Sequence, residues 1–217
     1  QSTHVPMAVG PNRKESIELL LNSEQLDLII SDDGLQHWAL ARQIEWIVVD
    51  QNRGLGNEKL LPEGYLREPK SRLVESTVIE HTKIAHSYRN MHLMTGEPYL
   101  LNASEQSNVF DANQHFNVVV GIGFPQRFYQ TLQGLGVHKY HSAEFKDHHK
   151  YEINDLIFAN DSPIITTEKD AVKFKTLLQQ NPEFKTPIWV VPVEAVLSAD
   201  CYDLLKQQLQ QVGIQLS

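Results

Sequence analysis

Two adjacent carboxylates stand where a strand is expected to end. Asp32 and Asp33 follow an apolar run at residues 26–30 and one serine, and a glycine comes after them. In an open α/β sheet, ligands bind beyond the carboxyl ends of the strands, and Mg²⁺ takes one or two carboxylates together with substrate phosphates. The pair is therefore a candidate metal site. The alternative is turn chemistry, because Asp-Gly is also a common turn sequence.

Charged side chains elsewhere in the first third of the chain can contact a phosphate. His37 lies four residues after Asp33 and can bond a phosphate or orient a carboxylate. Arg67 and Glu68 close a long loop rich in glycine and proline, and a guanidinium presents forked donors to a phosphate. Each of these residues also has a simpler interpretation as an exposed surface charge.

A second acidic segment, EFKDHHKYE, places Asp147 before His148 and His149. A carboxylate beside an imidazole can form a proton-relay pair or a metal site. Adjacent side chains converge in this way on a loop, whereas on a helix or strand they diverge. The match is short, so chance occurrence is the competing explanation.

Two further segments are weaker candidates for functional sites. Gly121 and Gly123 stand between a predicted strand and a predicted helix, where a turn can approach a phosphate closely. The segment lacks the third glycine of a dinucleotide fingerprint, and GxxxxGK[ST] does not occur in the 217 residues. In TTEKDAVKF, Lys169 lies near a predicted helix start, where a positive charge opposes the helix dipole. Another group is therefore expected to require this lysine.

The apolar pattern predicts the elements that position these residues. Predicted strands cover residues 5–9, 26–30, 44–49, 78–79, 91–101, 117–121, 163–167 and 188–191. Predicted helices cover residues 13–21, 124–135, 153–158, 170–178 and 200–212. The alternation of strands and helices predicts an α/β fold with a mainly parallel sheet flanked by helices.

Length and composition narrow the function classes. The chain of 217 residues suits one large domain or two small ones. Its net charge of −8, from 27 acidic and 19 basic residues, excludes a general nucleic-acid binder. The single cysteine excludes a disulfide framework, and no apolar run approaches the ~18 residues of a membrane span.

Five segments, in this order, carry a family resemblance: SDDGLQHWALAR, VVDQNRGLGNEKLLPEGYLREPKSRL, GIGFPQRF, DHH and TTEKDAVK. Together they resemble the tetraacyldisaccharide 4′-kinase family of lipid A biosynthesis, over nearly the whole chain. The resemblance implies phosphorylation of the 4′-hydroxyl of a lipid A disaccharide precursor, with ATP as co-substrate and Mg²⁺ as cofactor. It also implies a P-loop-kinase-like core and a second, smaller α/β domain.

The resemblance assigns roles by position. It implies that the metal ligands are Asp32 and Asp33. It implies a catalytic pair, Asp147 and His148, whose histidine supports an aspartate that accepts the hydroxyl proton. It implies nucleotide or substrate contacts for four further residues: Arg13, His37, Arg67 and Glu68.

The resemblance also sets expectations for domains and for activity. We expect a remainder of the kinase core over residues 1–75, connecting strands over 76–115, and a second α/β region over 116–217 that returns to the core. The family's glycine-rich phosphate loop, its catalytic aspartate and its membrane-associated helix are expected upstream of Gln1, so the fold is expected to be incomplete at its N-terminus.

Since the phosphate loop and the metal act together on the transferred group, we expect no useful kinase activity from this chain alone. The exposed sheet edge is expected to weaken folding or to promote self-association. The complete protein is expected to be a monomer at the cytoplasmic face of the inner membrane.

Two other functional classes stay open. A metal-dependent phosphohydrolase would use the DHH segment and the strand-end aspartates, and it would need two metals ~4 Å apart. Asp50 and His141 are the further candidate ligands for it. A non-catalytic remnant would bind ATP without turnover.

Overall fold

The computed structural model describes residues 5–82, 88–102 and 109–215. The chain divides into two compact units. The first combines Gln1–His92 with Val196–Ser217, and the second is Leu93–Ala195. Residues 83–87 and 103–108 of the predicted connecting region lie outside the described residues.

Strands and helices alternate along most of the described chain. The strands are β1 (Trp46–Asp50), β2 (Thr77–Thr82), β3 (Asn90–Thr95), β4 (Tyr99–Leu100), β5 (Phe116–Val120), β6 (Tyr140–Glu144), β7 (Ile164–Thr167), β8 (Ile188–Val191) and β9 (Val193–Leu197). The helices are α1 (Arg13–Ser23), α2 (Pro125–Gly134), α3 (Glu168–Gln180) and α4 (Ala199–Gln211), with 3₁₀ turns at Lys70–Glu75 and Ile153–Leu156.

The described strands form two sheets, and their pairings are mainly parallel. One sheet has the order β1-β2-β3-β9, with β1, β2 and β3 parallel. The other has the order β4-β8-β7-β5-β6, in which only the short β4 pairs antiparallel among the described pairings. From β5 the chain passes through α2 to β6 on one side and then returns to β7 on the other side of β5. The carboxyl ends of β5 and β7 therefore form a topological switch point.

The core of the second unit lies on both faces of its central strands. All five residues of β5 and all four of β8 are buried. Val118 and Val120 pack with Phe128 of α2, whereas Val119 packs with Phe174 of α3. Because successive side chains point to opposite faces of a sheet, covering both faces with helices favours apolar residues along the whole strand. The buried polar exceptions in β5 and β7 are Asn117 and Thr166.

The N-terminal segments of the first unit differ from the predicted pattern. The predicted strands at residues 5–9 and 26–30 are wrong, since neither segment pairs as a strand with any described residue. Val9 is 88% exposed and Ile30 is 86% exposed. An apolar run becomes a strand only when a neighbour satisfies its backbone N–H and C=O groups. Helix α1 forms as predicted, although none of its residues is buried.

Within the described ranges, no helix combines the length and apolar character that crossing a bilayer requires.

Candidate active site

The start of α1 places Arg13 against the acidic turn. The Asn12 side chain caps the helix by accepting a hydrogen bond from the Lys14 N–H. Arg13 Nη1 donates to Ser31 Oγ at 2.6 Å, and Nη2 donates to the Asp33 carbonyl at 3.0 Å. Asp33 has a φ of +46°, in the left-handed region that aspartate tolerates better than most residues. The helix start therefore holds the backbone of the turn.

The Arg67–Glu68 pair reaches the same turn from the far end of the long loop. Arg67 Nη1 donates to Asp33 Oδ1 at 3.4 Å and to Gln36 Oε1 at 3.3 Å. Gln36 Nε2 in turn donates to Glu68 Oε1 at 2.7 Å. Gln36 thus bridges the two loops. Gln36 was not among the predicted site residues, and its position within DDGLQH was the only feature of the sequence that could have indicated it.

A partly buried ion cluster supports this arrangement from behind. Glu45 accepts hydrogen bonds from both Arg42 and Arg72. Arg42 also donates to the carbonyls of Gly34 at 3.3 Å and Leu35 at 2.9 Å. Burial alone would raise the pKa of Glu45, but hydrogen bonds from Arg42 and Ser76 and the two guanidinium charges outweigh it, so the pKa is lowered. These arginines are structural supports of the turn.

The two carboxylates of the turn suit a hard cation. The residues Asp32 and Asp33 are both exposed, and the Asp33 side chain is 73% exposed. His37 is half-buried, and its N–H donates to the Gly34 carbonyl at 3.0 Å. No group of three or more His, Cys, Asp or Glu residues that could hold a metal occurs among the described residues. An ion here would need ligands from elsewhere, and Mg²⁺ commonly takes them from phosphates and water.

The second unit gathers three motifs at the carboxyl edge of its sheet. The glycine turn follows β5, the DHH segment follows β6, and the TTEKD segment spans the end of β7 and the start of α3. The first two approach closely, because a Cβ added to Gly123 would lie 3.8 Å from Asp147 Oδ2. These strands are parallel neighbours, so their loops meet at the switch point.

Asp147 and His148 form a local pair held by Lys169. Lys169 Nζ donates to Asp147 Oδ1 at 2.6 Å, and the His148 N–H donates to the same oxygen at 3.0 Å. His148 Nε2 lies 3.7 Å from Asp147 Oδ2. The hydrogen bond from Lys169 is the main reason that the pKa of Asp147 is lowered. His149 differs, since its Nε2 lies 3.0 Å from Asp155 Oδ2.

Asp170 occupies the position where a glycine turn would meet an anion. It is fully buried, and it accepts hydrogen bonds from the Gly121 N–H at 3.0 Å, Thr167 Oγ1 at 2.9 Å and Tyr151 OH at 3.1 Å. Burial and the charge of Asp170 raise the pKa of Tyr151. The chain's own carboxylate therefore fills the anion position of this turn. The sequence showed Asp170 only as an acidic residue in a first helical turn.

Comparison with known proteins decides the family. The family model described as tetraacyldisaccharide-1-P 4′-kinase matches residues 1–210. The chain belongs to this kinase family. The tetraacyldisaccharide 4′-kinase of Psychrobacter cryohalolentis is 40% identical over all of this chain and 67% of its own length. That of Actinobacillus pleuropneumoniae serotype 7 is 45% identical over 98% of this chain and 65% of its own length. The chain thus spans about two thirds of the length of these kinases.

A solved structure of the tetraacyldisaccharide 4′-kinase LpxK supports the fold. The "apo" form of LpxK from Aquifex aeolicus in complex with ATP matches 84% of this chain and 56% of its own length, with a TM-score of 0.55 and 21% identity. The predicted family, the predicted kinase class and the predicted α/β fold are therefore confirmed.

The phosphohydrolase alternative gains no support from its extra ligands. Asp50 Oδ1 accepts hydrogen bonds from the N–H groups of Asn52 at 2.9 Å and Arg53 at 3.1 Å, which is turn capping. His141 packs edge-on against Phe158 with ring centres 6.3 Å apart. In the described ranges, these residues do not join a metal-binding group.

Proposed function

We propose that this chain forms part of an ATP- and Mg²⁺-dependent kinase that phosphorylates the 4′-hydroxyl of a tetraacyldisaccharide 1-phosphate in lipid A biosynthesis. The observation that carries the proposal is the convergence of the loop at Arg67 and Glu68 and the helix start at Arg13 on the turn of Asp32 and Asp33. Such a turn combines oxygen ligands for a cation with guanidinium donors for phosphate.

Each residue of this turn has a specific role in the proposal. Asp32 and Asp33 would hold Mg²⁺, and the ion would supply positive charge against the phosphates of the nucleotide. Arg13 and Arg67 present guanidinium groups beside these carboxylates, where they stabilise negative charge on the transferred group. Glu68, held by Gln36 and by Arg72 at 3.4 Å, fixes the Arg67 loop. His37 follows the turn and contacts the nucleotide or the metal shell.

The Asp147–His148 pair is proposed to assist proton transfer from the acceptor hydroxyl. The His148 side chain is 82% exposed, so a reacting group can reach its imidazole. Asp147 orients the segment through its bond to the His148 N–H. Such an imidazole can support an aspartate that accepts the hydroxyl proton.

The proposal includes a location and a limit on activity. We propose that the complete protein acts as a monomer at the cytoplasmic face of the inner membrane, because its proposed substrate is a lipid. The chain by itself is proposed to lack turnover, because phosphoryl transfer needs a phosphate cradle beside the metal, and no GxxxxGK[ST] loop occurs in these 217 residues.

The test is a phosphate-transfer assay on a chimera in which this chain replaces the matching two thirds of the Psychrobacter cryohalolentis kinase. With ATP, Mg²⁺ and tetraacyldisaccharide 1-phosphate, the chimera is expected to form the 4′-phosphorylated lipid. Asp33→Asn is expected to lower kcat by about 10²-fold, the usual effect of removing one charge-stabilising group. Asp27→Asn, at an exposed acidic residue of the same unit, is the matched control and should leave kcat unchanged.

Three results would contradict the proposal. Equal activity in the Asp33→Asn and Asp27→Asn chimeras would remove the metal role of the turn. Binding of ATP without lipid phosphorylation would favour the non-catalytic remnant, and Mn²⁺-dependent hydrolysis of simple phosphate esters would favour a phosphohydrolase.

A further inference from the structure

We propose that the first turn of α3 is a two-point clamp on residues 147–151, and that Lys169 is the positioning residue of the Asp147–His148 pair. The clamp consists of Lys169 and its neighbour Asp170. Its relevance to catalysis rests on the proposed function, whereas the clamp itself concerns only contacts within this chain.

Lys169 supplies the first point of the clamp. Its ammonium group lies 2.6 Å from Asp147 Oδ1, although a positive charge in the first turn of a helix opposes the helix dipole. The Lys169 and Asp147 side chains are 47% and 40% exposed, and ion pairs this exposed contribute little to stability. The contact therefore serves to orient the Asp147 carboxylate rather than to hold the fold.

Asp170 supplies the second point of the clamp. Its carboxylate accepts a hydrogen bond from Tyr151 OH at 3.1 Å. The Tyr151 ring is fixed by edge contacts with Phe174 at 4.8 Å and Phe145 at 5.1 Å. Because Lys169 and Asp170 are consecutive, one helical turn fixes both ends of a five-residue segment.

His148 lies between the two fixed points in a conformation that requires support. Its φ is +63°, in the left-handed region that non-glycine residues rarely adopt. Such a conformation persists when the surrounding structure determines it. Asp147 Oδ1 receives both the Lys169 ammonium and the His148 N–H, so the lysine sets the carboxylate and the carboxylate sets the histidine backbone.

The test is an NMR titration of this chain, with the Asp147 carboxyl carbon and the His148 amide as probes. In the wild-type chain, Asp147 should titrate below its ordinary range, in keeping with its lowered pKa. Lys169→Met should move that midpoint upward and shift the His148 amide resonance, while the melting temperature stays nearly unchanged. Lys169→Arg should restore part of both effects, since it keeps the charge and a donor.

Lys175→Met is the matched control, because Lys175 is an exposed residue of the same helix with no ion pair to any described residue. It should leave both probes unchanged. The clamp is overturned if Lys169→Met leaves the Asp147 midpoint and the His148 amide at their wild-type values, or if Lys175→Met moves them equally.

Failure of the kinase proposal would be detected separately, because kcat of the chimera would then not change in the Asp33→Asn variant. A chimera carrying Lys169→Met tests whether the clamp also affects catalysis. It should show a lower kcat with an unchanged KM for ATP, and an unchanged kcat would overturn the positioning role in catalysis.

Discussion

Burial separates two kinds of carboxylate in this chain. The Asp33 side chain is 73% exposed and meets Arg67 at 3.4 Å, so their ion pair adds little to stability and leaves oxygens accessible to a ligand. Asp170 is fully buried and is bonded to three parts of the second unit. Substitution of Asp33 should therefore impair activity, whereas substitution of Asp170 should impair folding.

Among the described glycines of the second unit, Gly121 has the least room for a side chain. A Cβ there would lie 2.5 Å from Tyr151 OH and 3.2 Å from Asp170 Oδ1. We expect Gly121→Ala to lower the free energy of unfolding by about 1–3 kcal/mol, as overpacking usually does. Urea unfolding measures this. Gly134→Ala is the control, since its Cβ would meet no atom within 4 Å, and equal destabilisation by both would refute the steric explanation.

Glu45 should make the first unit sensitive to acid. Its folded-state pKa is lowered, so its contribution is complete above the ordinary glutamate pKa and is lost as the pH falls through the folded value. At neutral pH, Glu45→Gln should cost about 2 kcal/mol, because two arginines lose a charged partner. Urea unfolding of both chains from neutral to acidic pH should show this difference shrinking; a constant difference would exclude the linkage.

Single residues also show which contacts a sequence can reveal. Family resemblance implied a metal role for Asp33 and nucleotide or substrate contacts for Arg67 and Glu68. The structure links the three side chains through Gln36. The partner of Lys169 could not be predicted, because Asp147 lies 22 positions away and only the topology brings β6 and β7 to the same edge. The dipole conflict at Lys169 indicated that a partner existed, but not which one.

At the scale of elements, prediction succeeded where each segment was apolar on both faces. Strands β5, β7 and β8 were predicted because their short, almost fully buried sequences are rich in apolar and β-branched residues. Strand β6, with the sequence YHSAE, was missed because it is only half-buried at two positions and exposed at three. The run at residues 26–30 looked like a buried strand, yet pairing depends on a neighbour that the local sequence does not specify.

Helix α3 offers a test of one element through its cap. Thr167 Oγ1 accepts from the Asp170 N–H at 3.2 Å and donates to the Asp170 carboxylate at 2.9 Å. Thr167→Ala should destabilise the second unit by about 1 kcal/mol. Thr176→Ala, at an exposed position of the same helix, should be neutral or slightly stabilising because alanine favours helix. Thermal melts of both variants test this prediction. Similar losses of stability in the two variants would rule out capping as the cause.

At the scale of the whole chain, the two units differ in how well their backbone amides are protected from solvent. The second unit contains strands buried at every position, whereas residues 5–9 and 26–30 of the first carry exposed apolar side chains without strand pairing to described residues. Their boundaries at 92/93 and 195/196 fall within strands β3 and β9, where composition does not change, so sequence alone gives no marker for them.

Hydrogen exchange should resolve this difference directly. Amides of β5 and β8 are expected to exchange slowest, and amides of residues 5–9 and 26–30 within the shortest exchange times, because local opening costs least where contacts are few. Mass spectrometry of peptides after timed exchange measures both. Strong protection of residues 26–30 would show that this segment is paired in solution.

The close fit of Tyr151 against Gly121 also limits the order in which the two positions can change. The phenolic oxygen, 2.5 Å from the site of a Cβ, is the closest obstacle, so Tyr151→Phe removes the main clash before any substitution at Gly121. Gly121→Ala should therefore lower the free energy of unfolding less in the Tyr151→Phe background than in the wild-type chain. In a double-mutant cycle, the loss of the double variant should be smaller than the sum of the two single losses. A lineage of such chains therefore loses less stability when Tyr151 changes before Gly121 than in the reverse order.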